Sequence, residues 1–131
     1  MDVRIKRVYE PAVDVDGHRV LIDRLWPRGV RKDEARLELW LKDAAPSPEL
    51  RRDWHADPRG HEPARFEAFA EAYRAELAEE PASSAVDRLV ELGSDGRRVT
   101  LLYGAHDEHV NHAIVLRDAV LARAGDQPGE G

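Results

Sequence analysis

Hydrophobic and charged residues alternate over residues 3–9, at the start of the chain. This period of two places Val3 and Ile5 on one face of an extended segment and predicts a strand. A short continuous apolar run at residues 20–22 follows the turn-forming residues 14–17 and predicts a second, buried strand. The first part of the chain is therefore expected to supply two strands.

Apolar residues at helical spacing dominate the middle of the chain. Ser47 is a favourable N-cap and Pro48 fits the first helical position, which predicts a short helix that carries His55 at its end. A further helix is predicted between Pro81 and Gly93. Between these two lies the most regular stripe, with the spacing i, i+3, i+4, i+7 and i+11. It consists of Phe66, Phe69, Ala70, Tyr73 and Leu77.

The last part of the chain returns to a strand followed by a helix. Residues 99–103 form a continuous apolar run and predict a strand, and a helix is expected from about Glu108 to Ala124. The Gly- and Pro-rich tail at residues 125–131 is expected to be flexible. Residues 37–41 fit either a helix or a strand, and the pattern favours the helix.

The order of these elements predicts the fold. Parallel strands need a crossover, usually a helix, to connect them, so strands separated by helices indicate a parallel sheet. We expect a small three-layer α/β domain, built as a short, mostly parallel sheet with helices packed on its faces. The sequence has no internal repeat and no second linker, so residues 1–124 are expected to form a single domain.

Composition narrows the classes of protein. The chain of 131 residues has a net charge of −6 and no cysteine, which excludes disulfides, cysteine-based zinc sites and thiol nucleophiles. The acidic balance argues against a nucleic-acid-binding surface. The N-terminus lacks an apolar signal segment, and no run reaches the roughly 18 apolar residues of a membrane span. We therefore expect a cytoplasmic protein that does not interact with membranes.

Charged and aromatic residues directly follow the predicted central strand. They are Asp23, Arg24, Trp26 and Arg28, and a proline and a glycine among them indicate that the strand ends near Trp26. Ligands of open α/β sheets bind beyond the carboxyl ends of the strands, so a site is expected here. The structural alternative is that Asp23 and Arg24 pair with other charges and that Trp26 covers the core.

The strand predicted at residues 99–103 ends at the same edge of the sheet and brings more polar residues toward this stretch. The start of the helix after Gly104 adds free N–H groups that favour an anion. The candidate ligand-binding residues are Arg24, Trp26, Arg28, Tyr103, His106 and Asn111. The candidate catalytic residues, as proton carriers, are Asp23, His55 and His112. For Tyr103, the alternative is a core residue with a satisfied hydroxyl.

Histidines recur at every third position in His106, His109 and His112, a spacing that occurs in some metal sites. On one continuous helix His106 and His112 would lie about 240° apart, so the three side chains would not share an ion. We therefore predict no metal site and no cofactor, with these histidines solvated or capping a helix.

One motif is highly specific: residues 23–29, Asp-Arg-Leu-Trp-Pro-Arg-Gly. It is accompanied by residues 6–11, Lys-Arg-Val-Tyr-Glu-Pro, by Pro-Ser at 46–47 and by Asn-His-Ala at 111–113. With these motifs the chain resembles, over about residues 3–122, the YeaO-like proteins of the DUF488 family, a domain of unknown function. The resemblance implies an α/β fold and little biochemistry.

The wider family often carries a Cys after the Leu-Leu of its late strand and a Cys-His-Arg on the helix that follows. Here Tyr103 stands at the position of the first Cys, and Asn111-His112-Ala113 stands at the position of the Cys-His-Arg. Any thiol chemistry of those relatives is therefore not carried over to this chain, and His112 is the one residue of the pattern that it retains. Some relatives are labelled transcriptional regulators, but this chain shows no helix-turn-helix with a basic recognition helix.

Two functions remain. In the first, the protein binds a small anionic ligand, a phosphate or carboxylate, in an Arg-, His- and Asp-lined cleft at the carboxyl edge of the strands, as a binding protein or a small enzyme. In the second, it is a non-catalytic binding or regulatory module whose macromolecular partner docks on the same edge. A concave pocket favours the first function and a flat, exposed surface favours the second.

Overall fold

The computed structural model describes residues 1–125, and its strands form one parallel sheet of four strands. The strands are β1 (Val3–Arg7), β2 (His18–Leu21), β3 (Leu39–Trp40) and β4 (Val99–Tyr103), in the spatial order β1-β4-β2-β3. The last strand in sequence is therefore central, with Leu101 opposite both Ile5 and Val20. Because all strands run in the same direction, β2 and β4 end at the same edge of the sheet.

Five α-helices are present in the described part of the chain. They are α1 (Lys32–Ala35), α2 (Pro48–Ala56), α3 (Pro63–Leu77), α4 (Ala82–Leu92) and α5 (His112–Arg123). Short 3-10 helices lie at Asp14–Asp16, Lys42–Ala44 and Gly93–Asp95. The predicted α/β class and parallel sheet are confirmed.

The main core lies between the sheet and α2–α5. Tyr73 of α3 and Leu116 of α5 are fully buried against Val20 and Leu101 of the sheet. Burial of each such side chain contributes about 1.5–3 kcal/mol relative to exposure, so this layer supplies most of the hydrophobic stabilisation.

The opposite face of the sheet is covered more thinly, by α1 and the chain segments that flank it. Leu21 and Leu102 are fully buried there and pack with Trp26 and Trp40. The domain has the three predicted layers, but the helical cover of its two faces is unequal.

The predicted helices of the middle of the chain are confirmed. In α2 the Ser47 hydroxyl accepts a hydrogen bond from the Leu50 N–H at 3.1 Å, and Pro48 is the first helical residue. Four residues of the predicted stripe of α3 are buried, and the fifth, Phe66, packs against the same core. Local sequence and tertiary burial agree in these helices.

The strand β2 is shorter than predicted, because it ends at Leu21 rather than near Trp26. Ile22 N–H still donates to the Leu102 carbonyl at 3.1 Å, but the next two carbonyls accept hydrogen bonds from side chains instead of from a strand, that of Ile22 from His112 at 3.0 Å and that of Asp23 from the Trp40 indole at 2.7 Å. Hydrogen bonds from side chains thus replace the backbone hydrogen bonds of the sheet at this point, and the chain turns away from the sheet.

The helix favoured for residues 37–41 is wrong. The helix α1 ends at Ala35, Arg36 adopts a left-handed φ of 47°, and β3 then pairs with β2. Leu41 N–H donates to the Leu21 carbonyl at 2.8 Å, a bond to a partner distant in sequence. Edge pairing with β2 therefore overrides the local helical pattern.

The helix α5 begins at His112, later than the predicted start near Glu108. Asn111 is its N-cap, since its side-chain oxygen accepts a hydrogen bond from the Ile114 N–H at 3.1 Å. Residues 106 and 109 therefore lie in the preceding loop, and the helical geometry used to separate the three histidines is wrong. Within residues 1–125, no group of three or more His, Asp or Glu side chains is arranged to hold a metal ion.

Two further features complete the fold. None of the helices within the described residues is both long enough and apolar enough to cross a membrane. The predicted flexible tail, residues 125–131, lies outside the described residues from position 126 onward.

Candidate functional site

The segment after β2 and the first residue of α5 meet at Asp23 and His112. His112 Nε2 lies 3.0 Å from the Ile22 carbonyl oxygen and 3.2 Å from Asp23 Oδ1. Both neighbours of Nε2 accept hydrogen bonds, so this nitrogen carries a proton in the observed arrangement. The aligned hydrogen bond goes to Ile22, which leaves the buried Asp23 Oδ1 with a close electrostatic neighbour but no aligned donor in residues 1–125.

The other carboxylate oxygen of Asp23 is held by the backbone that follows β4. Gly104 N–H donates to Asp23 Oδ2 at 2.9 Å. A Cβ atom at position 104 would lie 2.9 Å from the same oxygen, a distance that real Cβ contacts essentially never show. A larger residue at position 104 would therefore displace the Asp23 carboxylate from its present position.

Arg24 is oriented by backbone carbonyls. Its Nε donates to the Pro46 carbonyl at 3.2 Å and an Nη to the Ala45 carbonyl at 3.3 Å. This segment is in turn tied to α3, because the buried Tyr73 hydroxyl donates to the Ala44 carbonyl. Carbonyl oxygens carry no net charge, so the guanidinium of Arg24 is fixed in position but not neutralised.

These side chains border a concave cleft of about 330 Å³, which we name the Asp23 cleft. Its charged and titratable lining residues are Asp23, Arg24, Arg28, Arg51, His55 and His112. The cleft lies beyond the carboxyl ends of β2 and β4, the position in which ligands of open α/β sheets bind.

The arginines of the Asp23 cleft give it an excess of positive charge. Arg28 is exposed and Arg51 is half-buried, and neither guanidinium group forms an ion pair or a hydrogen bond with any residue of the described range. Among residues 1–125, Asp23 is the one carboxylate that lines the cleft, and it already faces Gly104 and His112. The cleft is thus locally cationic although the whole chain has a net charge of −6.

His55 contributes an uncharged imidazole to the rim. Partial burial lowers its pKa below the ordinary value, and electrostatic interactions with Arg51 and His112 lower it further, while the Asp23 carboxylate acts in the opposite direction. At neutral pH this side chain is therefore a neutral group that both donates and accepts hydrogen bonds.

Two indole rings form rigid apolar walls of the cleft. Trp26 makes an edge-to-face contact with Trp40 at a centroid distance of 5.3 Å, and its N–H donates to the Val30 carbonyl at 2.8 Å. Trp54 stacks on Phe69 at a centroid distance of 3.9 Å. Both rings are held by neighbours outside the cleft, so their positions do not depend on a ligand.

The structure brings together six of the predicted site residues. Those that line the Asp23 cleft are Asp23, Arg24, Trp26, Arg28, His55 and His112. Tyr103 instead lies in the main core with 2% exposure, and Asn111 is fully buried as the cap of α5. His106 is exposed on the loop before α5 and does not line the cleft.

Sequence reasoning missed Arg51. It stands four residues before His55 on α2, and both side chains line the Asp23 cleft. Residues four apart share one face of a helix, so the prediction of a helix that delivers His55 already placed Arg51 beside it.

Comparisons with known proteins identify the family of the chain. Residues 2–130 match the family model described as "Inactive DUF488-N3 subclade". The chain is 42% identical over 118 residues to "Uncharacterized protein YeaO" of Escherichia coli strain K12, covering 90% of this chain and 96% of that protein. It is also 42% identical over 123 residues to "Uncharacterized protein Rv3073c" of Mycobacterium tuberculosis strain H37Rv, covering 92% and 95% respectively.

No solved structure is significantly similar to the chain. The family match spans nearly the whole sequence, and the relatives align over most of their own length. The resemblance found in the sequence motifs is thereby confirmed, and the chain belongs to the DUF488 family, within the subclade described as inactive DUF488-N3.

Proposed function

We propose that the protein binds a small ligand through a phosphate or carboxylate group in the Asp23 cleft, and that it does so without converting the ligand. One observation carries the proposal: three arginines line the cleft, and no carboxylate of residues 1–125 forms an ion pair with any of them. Guanidinium groups offer forked donors that match the oxygens of phosphates and carboxylates.

Arg24 is the anchor of the proposed site. Two of its N–H groups are used by the carbonyls of Pro46 and Ala45, which fixes the plane of the guanidinium and leaves its remaining donors for a ligand. A side chain that is already ordered loses little conformational entropy on binding. Arg28 and Arg51 add positive charge on either side.

The size and lining of the cleft support a small ligand with an uncharged part. The volume of about 330 Å³ lies near the lower end of the range of roughly 300–1,000 Å³ typical of small-molecule pockets. Leu25, Trp26 and Trp54 provide apolar walls beside the arginines. The ligand is therefore expected to carry a short apolar or aromatic group next to its anionic group.

The contacts of two of the three candidate proton carriers, Asp23 and His112, support binding without catalysis. Asp23 accepts a hydrogen bond from Gly104 and lies against His112, whose protonated nitrogen already donates to the Ile22 carbonyl. These groups are engaged with each other and with the backbone. The description of the subclade as inactive supports the same conclusion for this chain.

A titration followed by backbone amide NMR shifts tests the proposal. Inorganic phosphate and phenyl phosphate are expected to shift the amides of residues 23–28, 51–55 and 104–105, with phenyl phosphate binding more tightly because of the apolar walls. Arg24→Lys keeps the charge but loses the planar fork, so it should weaken both ligands while the protein stays folded.

Arg88 supplies the matched control, because it is exposed on α4, lies outside the cleft and has no partner among residues 1–125. Arg88→Gln should leave binding unchanged, whereas Arg28→Gln should weaken it. Absence of shifts at the cleft, or equal weakening by the two variants, would contradict the site. Release of phosphate from phenyl phosphate, followed by phosphorus NMR and lost in Arg28→Gln, would contradict the non-catalytic role.

A further inference from the structure

A second depression adjoins the Asp23 cleft and shares part of its lining. The residues common to both are Arg24, Leu25, Arg51 and His55. Beyond them the depression runs along α2 over Pro48, Arg52 and Ala56, and we name this part the Arg52 shelf. These three residues are spaced four apart, so they form one stripe of α2 that is about 12 Å long at about 1.5 Å per residue.

The Arg52 shelf is cationic and has no internal counter-ion. Arg52 is exposed and forms no ion pair or side-chain hydrogen bond with any other residue of the described chain. Glu49 and Asp53 lie on the same helix but do not line the shelf. Arg59, which is also exposed, is by contrast paired with Glu62 at 3.1 Å.

The four residues shared by the cleft and the shelf include two uncharged side chains, Leu25 and His55, beside Arg24 and Arg51. Leu25 lines both depressions and is 61% exposed, so it presents an apolar surface to a ligand in either one. His55 also faces both, and its lowered pKa keeps it neutral at neutral pH. Arginines thus line this surface from Arg28 in the cleft to Arg52 on the shelf, and Leu25 is an apolar side chain common to both depressions.

We propose that the natural ligand is a small molecule with two anionic groups joined by a short apolar spacer. One phosphate or carboxylate lies among the arginines of the Asp23 cleft, the spacer crosses Leu25, and the second anionic group lies on the Arg52 shelf. This inference rests on the proposed function, since it assigns the first anionic group to the same cleft. Arg51, which lines both depressions, contacts either group.

The test uses two series of probes and the full chain. Alkane bisphosphonates of increasing length carry two anionic groups, and alkyl monophosphonates of the same lengths carry one. Isothermal titration calorimetry should show that, at one spacer length, the bisphosphonate binds about tenfold or more tightly than its monophosphonate, because the second contact becomes intramolecular. Shorter and longer spacers should lose this gain.

Surface variants separate the two subsites. Arg52→Gln should remove the gain of the bisphosphonate and leave monophosphonate binding unchanged, since Arg52 lines only the shelf. Arg28→Gln should weaken both series, since Arg28 lines only the cleft. Arg88→Gln, outside both depressions, should change neither.

The outcomes distinguish the two proposals. If neither series binds, the proposed function fails and the second subsite fails with it. If monophosphonates bind but no bisphosphonate binds more tightly, or if Arg52→Gln leaves the gain intact, the second subsite is wrong and the proposed function stands. Unchanged amide spectra of each free variant, away from the substituted position, show that a loss of binding is not a loss of fold.

Discussion

His112 Nε2 and Asp23 Oδ1 lie 3.2 Å apart and connect the start of α5 to the segment that follows β2. The same nitrogen is oriented by the Ile22 carbonyl, and the edge of the imidazole contacts the ring of Tyr73 at a centroid distance of 6.2 Å. Three elements thus hold the floor of the Asp23 cleft in place before any ligand arrives. Because these side chains are already ordered, less conformational entropy is lost when a ligand binds.

The close approach of Gly104 to Asp23 gives the first prediction. Gly104→Ala should lower the free energy of unfolding by about 1–2 kcal/mol, because the new Cβ displaces the carboxylate and breaks the hydrogen bond from the Gly104 N–H. Urea denaturation measures the loss. In an Asp23→Ala background the same substitution should cost much less, and equal costs in the two backgrounds would show that the clash is with something else.

Burial of the central strand gives the second prediction. Leu101 is fully buried in β4, so Leu101→Asp should abolish the cooperative thermal transition, since an unpaired buried charge costs several kcal/mol against a total stability of about 5–15 kcal/mol. Leu25→Asp is the matched control, because Leu25 is 61% exposed and the change should stay within about 0.5 kcal/mol. A normal melt of Leu101→Asp would disprove the burial.

The elements that the sequence predicted are those in which local pattern and tertiary burial agree. Residues 99–103 form one apolar run and are all buried, and the stripe of α3 points into the core as its spacing requires. Residues 37–41 were misread because β3 has only two residues, and its pairing with β2 involves a distant part of the chain. No local pattern contains that information.

The candidate site was predictable only in part, for a similar reason. The motif at residues 23–29 and the carboxyl-edge rule together located Asp23, Arg24 and the cleft. Asn111 was assigned to ligand binding, although its amide is used to cap α5, because the start of that helix was placed too early. Arg51 is not among the predicted residues, because only the end of α2, at His55, was related to the site, although the helical spacing places Arg51 on the same face.

A buried ion network on the thinly covered face of the sheet gives the third prediction. Asp16 is 4% exposed and accepts hydrogen bonds from Lys6 at 3.0 Å and from Arg19. Asp16→Asn keeps the shape but leaves both cations without a counter-ion, so the free energy of unfolding should fall by about 3–5 kcal/mol. Asp14→Asn, in the same turn but exposed, is the control. Equal urea midpoints for the two variants would contradict the role of the network.

A histidine held between two carboxylates leads to the last prediction. His18 is 5% exposed, with Nδ1 2.8 Å from Glu38 Oε1 and Nε2 2.8 Å from Asp95 Oδ2. Both nitrogens donate to carboxylates only when the ring is protonated. The hydrogen bond to Glu38 raises the pKa of His18, burial opposes this rise, and the hydrogen bond to Asp95 adds to it.

The stabilisation by His18 should therefore depend on pH in a defined direction. Because the folded pKa is raised, the contribution is fully present below the unfolded pKa of about 6.5 and is lost as pH rises through the folded value. Urea titrations from about pH 6 to about pH 9 should show the free energy of unfolding of the native chain falling across this window. His18→Gln should be less stable at the acid end and flatter across the window, whereas His61→Gln, at an exposed position with no partner among residues 1–125, should follow the native curve. An unchanged slope in His18→Gln would mean that another group causes the pH dependence, and that the two carboxylates do not hold His18 in its charged form.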